Sequence, residues 1–287
     1  MKPDVMGLMA LSMWTLLPVL AVMTGGVPPL FLTSLVFFIG FICFTALQLY
    51  RKQNIRAYWG RPLKDYMFWV FGPGLYTAMM LWAIKTAPAF EAMILNYLWP
   101  LLLVLFSSLI NKISLKKEDI IGMVIGFLGI IILFAPDVDF FASAEFGSGH
   151  AVAIGSAIVW ALYSARAKKG TYPHGFFAPA FLFFSLICLA AHMMFEEPNQ
   201  PIGTEWIFVI ILGVFRFSYV FWDYAMRFGN VIMLASLSYF LPLISSLLLI
   251  VMGLGPSSIG AALGGAFIVA GSLIVNYKSL KKMVIRT

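Results

Sequence analysis

The sequence predicts an all-α polytopic membrane protein, ten transmembrane helices folded as two inverted five-helix repeats. Three observations carry this reading. The 287 residues are 62% apolar or aromatic and 11% charged, roughly half the ~25% charged share of soluble domains. The basic residues fall almost wholly on one side of the apolar segments. The second half of the chain repeats the first.

A helix needs about 20 mainly apolar residues to cross a hydrocarbon core ~30 Å thick. Residues 4–24, 28–50, 66–85, 89–110, 118–136, 150–167, 175–195, 204–225, 229–252 and 256–277 meet this, and the short connectors leave no room for a soluble catalytic domain. The segments are too long and too evenly apolar for barrel strands. The first runs past Trp14 to Val22 with no small-x-small cleavage site before a polar stretch, so it is expected to stay in the protein. Cys43 and Cys188 both fall inside spans, where packing is the expected role.

Counting spans assigns each basic residue a side. Lys2, Arg51, Lys52, Arg56, Arg61, Lys64, Lys112, Lys116, Lys117, Arg166, Lys168, Lys169, Arg227, Lys278, Lys281, Lys282 and Arg286 share one side, 17 of the 19. The other side has Lys85, with Asp137, Asp139, Glu145, Glu196, Glu197 and Glu205, and Arg216 lies within a span. Lys and Arg are retained on the cytoplasmic side, so both termini of this multi-pass protein are expected there. The net charge of +7 is thus a topology signal and not a sign of nucleic-acid binding.

At an offset of 146, Trp14 to Pro18 faces Trp160 to Ser164. At 142, Trp82 to Lys85 faces Tyr224 to Arg227, Asn96-Tyr97-Leu98-Trp99-Pro100 faces Ser238-Tyr239-Phe240-Leu241-Pro242, Gly122 faces Gly264 and Gly129 faces Gly271. The first repeat is read as 1–137, a periplasmic connector as 138–149 and the second repeat as 150–287. Five spans is an odd number, so the halves must be inverted copies, with a site near the midplane where they meet.

Trp14, Trp99, Trp160 and Tyr239 each sit ten residues into a span, about 15 Å deep. Polar-tipped aromatics at that depth need a partner or a wet cavity; the alternative is a packed aromatic core. Pro100 and Pro242 each remove a helix hydrogen bond and can free a carbonyl near Asn96 and Ser238, or simply kink the helix. Gly122 with Gly126 and Gly260 with Gly264 are small-xxx-small pairs suited to close helix contact. Arg216, about twelve residues into its span, must face protein or water. It meets either a substrate carboxylate or a neighbouring helix, and Asp223 lies ~10 Å along the axis, too far for direct contact. Lys85 and Glu91 read as an outer polar rim.

Enzyme signatures are missing. There is no phosphate-binding Gly-rich loop ending in Lys-Ser or Lys-Thr, and His150, His174 and His192 lack metal spacing. No cofactor or metal is expected.

Ten spans in two inverted sets, the Asn96 to Pro100 run, the Ile158 to Ser164 run and the Gly229-Asn230 to Pro242 stretch resemble the drug/metabolite transporter superfamily, and within it the bacterial aromatic amino acid exporters. The resemblance implies alternating-access export of an amino acid from a cavity between the halves, with membrane lipid as the other partner. The superfamily also moves other metabolites and drugs, so another carrier, or a scaffold without flux, stays open. The expected lining is Tyr97, Trp99, Trp160, Tyr163 and Tyr239, with Arg216 for a carboxylate and Asn96 and Ser238 for an ammonium.

Overall fold

Prolines set many helix starts. Pro3 opens α1 (Pro3–Val22) and Pro29 opens α2 (Pro29–Tyr50), since a residue without an N–H loses nothing in a first turn. A single turn, α3 (Arg56–Trp59), precedes α4 (Leu63–Trp69), which the π-helical turn Val70–Gly74 joins to α5 (Leu75–Thr86). Then come α6 (Ala89–Asn96), α7 (Trp99–Asn111), α8 (Lys117–Phe134), α9 (Ser148–Ala167), α10 (Phe177–Phe195), α11 (Glu205–Val214), α12 (Phe217–Phe228), α13 (Val231–Leu237), α14 (Phe240–Val251) and α15 (Ile259–Val284). This computed structural model describes residues 2–60, 62–134, 146–169, 176–253 and 259–284, with backbone alone at 85, 89, 90, 259, 261 and 278–284. The expected connector 138–149 lies outside the described residues up to 145, as do Asp137, Asp139, His174, Arg61 and Arg286.

Among the described residues, eight segments are long and apolar enough to cross a membrane: Pro3–Val22, Pro29–Tyr50, Leu63–Ile84, Glu91–Asn111, Ser148–Ala167, Phe177–Phe195, Glu205–Phe228 and Val231–Val251. The expected fifth and tenth spans differ for identifiable reasons. α8 opens on Lys117, Glu118 and Asp119, and the apolar part of α15 is the shorter Ala262–Tyr277.

α9 packs on α5, α6 and α7, whereas α1 packs on α12 and α14; α2 pairs with α10 and α8 with α15. Glycine permits the last contact. A Cβ on Gly122 would lie 2.6 Å from the Gly271 carbonyl, and one on Gly129 would lie 2.7 Å from that of Gly264. The crossing therefore uses Gly122 and Gly126, both against Gly271, as the four-residue spacing suggests, and adds Gly129 against Gly264; Gly126 also leaves room for the Tyr239 ring. Gly264→Val should force the helices apart and cost at least the ~1–3 kcal/mol typical of overpacking. Gly60, with nothing within 4 Å of an added Cβ, supplies the control Gly60→Ala. Thermal unfolding in detergent separates them, and an unchanged Gly264→Val midpoint would remove the crossing from the stability argument.

The two ends differ in chemistry. At one, Asp4 Oδ1 accepts from the Asn230 N–H at 2.6 Å and Asn111 Nδ2 donates to the Ala165 carbonyl at 2.8 Å, among Arg51, Lys52, Lys112, Lys116, Arg166 and Lys168. At the other, Glu196 accepts from the Leu30 N–H at 2.9 Å, tying α10 to the start of α2, and Glu91 meets His150 at 2.6 Å. His150 Nδ1 accepts from the Gly147 N–H at 3.0 Å, so Nε2 carries the proton toward Glu91. His192 lies 3.0 Å from Glu196. These two histidines, scattered in sequence, each face a carboxylate.

Candidate functional site

A cavity of about 210 Å³ opens where α1, α5, α6, α7, α9, α12 and α14 converge. Its walls are Trp14, Leu17 and Pro18 of α1, Tyr76 of α5, Asn96, Tyr97 and Trp99 at the α6–α7 break, Trp160, Tyr219, and Leu241 with Ser245 of α14. Helix geometry explains the grouping. α6 stops at Asn96 and α7 restarts at Trp99, with Pro100 in its first turn, so three of four consecutive residues, Asn96, Tyr97 and Trp99, face the space instead of one per turn.

Aromatic rings fix the wall. Trp160 has its centroid 5.6 Å from Trp14, 6.3 Å from Trp99, 5.1 Å from Tyr76 and 6.0 Å from Tyr219, edge-on or tilted in each case. Trp14 Nε1 donates to Ser218 Oγ at 2.8 Å, and behind it Trp222 Nε1 donates to Ser164 Oγ at 3.0 Å, so both polar tips are satisfied between helices while the Trp14 ring stays available. One polar patch interrupts the rings. Asn96 Nδ2 reaches the Tyr76 hydroxyl at 3.4 Å, and the Ser156 hydroxyl, 2.6 Å from the Ala153 carbonyl, lies 3.1 Å from Asn96 Oδ1. The space exceeds the ~150 Å³ of a cavity known to admit benzene, so it accommodates a planar ring with polar contacts at one side.

Of the residues singled out in the sequence, Trp14, Asn96, Tyr97, Trp99 and Trp160 meet on this wall. Tyr163 stands behind it, 5.6 Å from the Trp160 centroid and against Gly72. Tyr239 is 1% exposed and turned onto Gly126, away from the cavity. Ser238 is fully buried; its hydroxyl donates to the Leu234 carbonyl at 2.8 Å. Its own carbonyl accepts from the Leu241 N–H at 3.1 Å, so the bond lost at Pro242 is replaced by a tighter turn. Arg216 sits in the break between α11 and α12, where Nε donates to the Leu212 carbonyl at 3.2 Å and the guanidinium lies 5.2 Å from the Phe37 ring and 5.6 Å from the Tyr219 ring. It touches the wall through Tyr219 and is not among the lining residues.

Two sequence segments, 1–135 and 147–277, match the EamA-like transporter family. The chain belongs to that family. It is a multi-pass membrane protein of transporter lineage. The aromatic amino acid exporter YddG of Ancylobacter novellus is 32% identical over 275 residues, 93% of this chain and 94% of that one. The proteins of the same name from Salmonella typhimurium and Escherichia coli are 25% and 26% identical, the first over 95% of this chain and 96% of its own, the second over 65% and 66%. A solved crystal structure superposes with a TM-score of 0.89 at 30% identity, covering 96% of this chain and 97% of the other.

Sequence reasoning passed over Tyr76 and Tyr219 as lining residues. The signal lay in the sequence offsets: Tyr76 stands 142 positions before Ser218, the partner of Trp14, and Trp14 stands 146 before Trp160, the partner of Tyr76.

Proposed function

We propose that this chain is a secondary transporter of the bacterial inner membrane that exports amino acids, aromatic ones included, by alternating access. The observation that carries the proposal is the aromatic cavity of about 210 Å³ shared by helices of both halves. Ring faces of Trp14, Trp99, Trp160 and Tyr219 suit an apolar or aromatic side chain, and Asn96 with Tyr76 and Tyr97 suit its polar head. The relatives named as aromatic amino acid exporters support that substrate class. No enzymatic step is assigned.

Ten spans in two inverted repeats fit the packing. α8 and α15 complete five helical crossings in each half, and the contact of α1 with α12 corresponds to that of α9 with α5. The breaks correspond too. Gly72 to Gly74 falls in the π-helical turn and, 142 residues on, Val214 to Arg216 spans the junction of α11 and α12. The basic end carries the N-terminus and, by the retention of Lys and Arg, is assigned to the cytoplasm, as is the C-terminus.

Counterflow in proteoliposomes is the test. Internal unlabelled phenylalanine should drive saturable uptake of labelled phenylalanine, with tryptophan and tyrosine competing. Flux no greater than in empty liposomes would leave a scaffold, and flux indifferent to all three would point to another carrier.

Arg216 has a narrower role than the sequence suggested. With its side chain tied to Leu212 and stacked on Phe37 and Tyr219, it holds the Tyr219 ring in place. Arg216→Lys keeps a charge but loses the planar fork, so transport of phenylalanine and of phenylalanine amide should fall together, about tenfold. A loss confined to the carboxylate-bearing substrate would instead put the guanidinium on the substrate.

A further inference from the structure

α12 has a second face. Ser218, Tyr219 and Trp222 are buried inward, whereas Phe217, Val220, Phe221 and Tyr224, spaced i, i+3, i+4 and i+7, are half-buried on the other side. With Met6 of α1 and Phe44, Leu47 and Gln48 of α2 they wall a groove of about 520 Å³ that shares no residue with the aromatic cavity. Its mouth, at the basic end of the molecule, is formed by Arg51, Gln53 and Tyr58, and among the described residues no carboxylate lines it.

We propose that this groove binds an anionic phospholipid, with an acyl chain along Phe44, Leu47, Val220 and Phe221 and the phosphate at Arg51. Depth supports it. Phe44 of α2 lies seven residues before Arg51, the residue that caps this helix, and so about 10 Å deeper; the groove runs from headgroup level into hydrocarbon. Tyr58 and Tyr224 stand where interfacial phenols favour the headgroup region. Charge supports it as well. Arg51 offers a fork that fits phosphate oxygens, and Lys52 and Arg56 follow it in the chain. That concentration of cations favours a net anionic lipid over one whose own ammonium would sit among them. A lipid seated here backs the helix whose front carries Tyr219, and so couples membrane composition to the transport cavity.

Which leaflet supplies the lipid rests on the orientation proposed above; binding itself does not. Purified protein in detergent is titrated with phosphatidylglycerol, phosphatidylcholine or inorganic phosphate, with native mass spectrometry and thermal unfolding as readouts. Phosphatidylglycerol should stay bound and raise the unfolding midpoint, and the other two should do neither. Arg51→Gln should weaken phosphatidylglycerol binding roughly fivefold, the effect of one basic residue at a lipid surface. Val220→Trp, which fills the groove, should abolish binding; Leu47→Phe narrows the same space should the first variant not fold. Equal stabilisation by both lipids, equal stabilisation by inorganic phosphate, or unchanged affinity in the variants overturns the proposal. Phosphatidylglycerol binding without phenylalanine flux in wild type counts against the transport reading alone, and flux without selective binding counts against this one alone.

Discussion

Trp160→Ala is expected to reduce counterflow of phenylalanine by more than about tenfold, a loss exceeding ~1.4 kcal/mol of transition-state stabilisation. The indole is 4% exposed and meets rings from α1, α5, α7 and α12, so its removal opens the wall that a substrate ring would pack against. Loss of a large buried side chain also costs stability, ~3–5 kcal/mol for Trp→Ala in a core. A paired comparison separates the two effects. Trp222 is fully buried, lies 6.5 Å from Trp160, and is not part of the lining. Trp160→Phe should raise the KM for phenylalanine, whereas Trp222→Phe should lower the unfolding midpoint with KM unchanged. Equal changes in KM, each tracking its change in stability, would reduce Trp160 to a packing residue.

The spans were legible because a bilayer imposes a length and a composition, and both are local properties. The expected segment 175–195 corresponds to Phe177–Phe195, and 28–50 to Pro29–Tyr50. The interruptions at Pro100 and Pro242 were legible for a similar reason, since the missing N–H acts within its own turn. The direction a side chain takes at such a break was not. Tyr97 and Tyr239 match at the 142-residue offset, yet Tyr97 lines the cavity and Tyr239 fills the space left by Gly126. That difference depends on how closely α8 approaches α13 and α14, a tertiary fact that no spacing encodes. Arg216 illustrates the same limit. Its depth was readable, but the helix break that lets Nε reach the Leu212 carbonyl lacks a proline to announce it.

Asp223→Ala is expected to destabilise the protein by about 3–5 kcal/mol, the cost of breaking a buried ion pair from one side. Asp223 is 0% exposed, and Arg227, one turn later on α12, brings Nε to 2.8 Å from Oδ2 with its side chain 8% exposed. By span counting alone Arg227 belongs to the cytoplasmic face and Arg216 is the cation to weigh against Asp223; the helical i,i+4 spacing makes Arg227 its neighbour instead. Removing the carboxylate takes from a guanidinium side chain that is 8% exposed its charge partner at 2.8 Å, so part of the loss is the desolvation of Arg227. This fixes the sign of the double substitution. Asp223→Ala combined with Arg227→Met should be more stable than Asp223→Ala alone, because an apolar side chain there carries no charge to desolvate. Denaturation of the single and double variants in detergent measures that coupling. A double variant whose loss equals the sum of the two single losses would mean that the two side chains, although 2.8 Å apart, act independently.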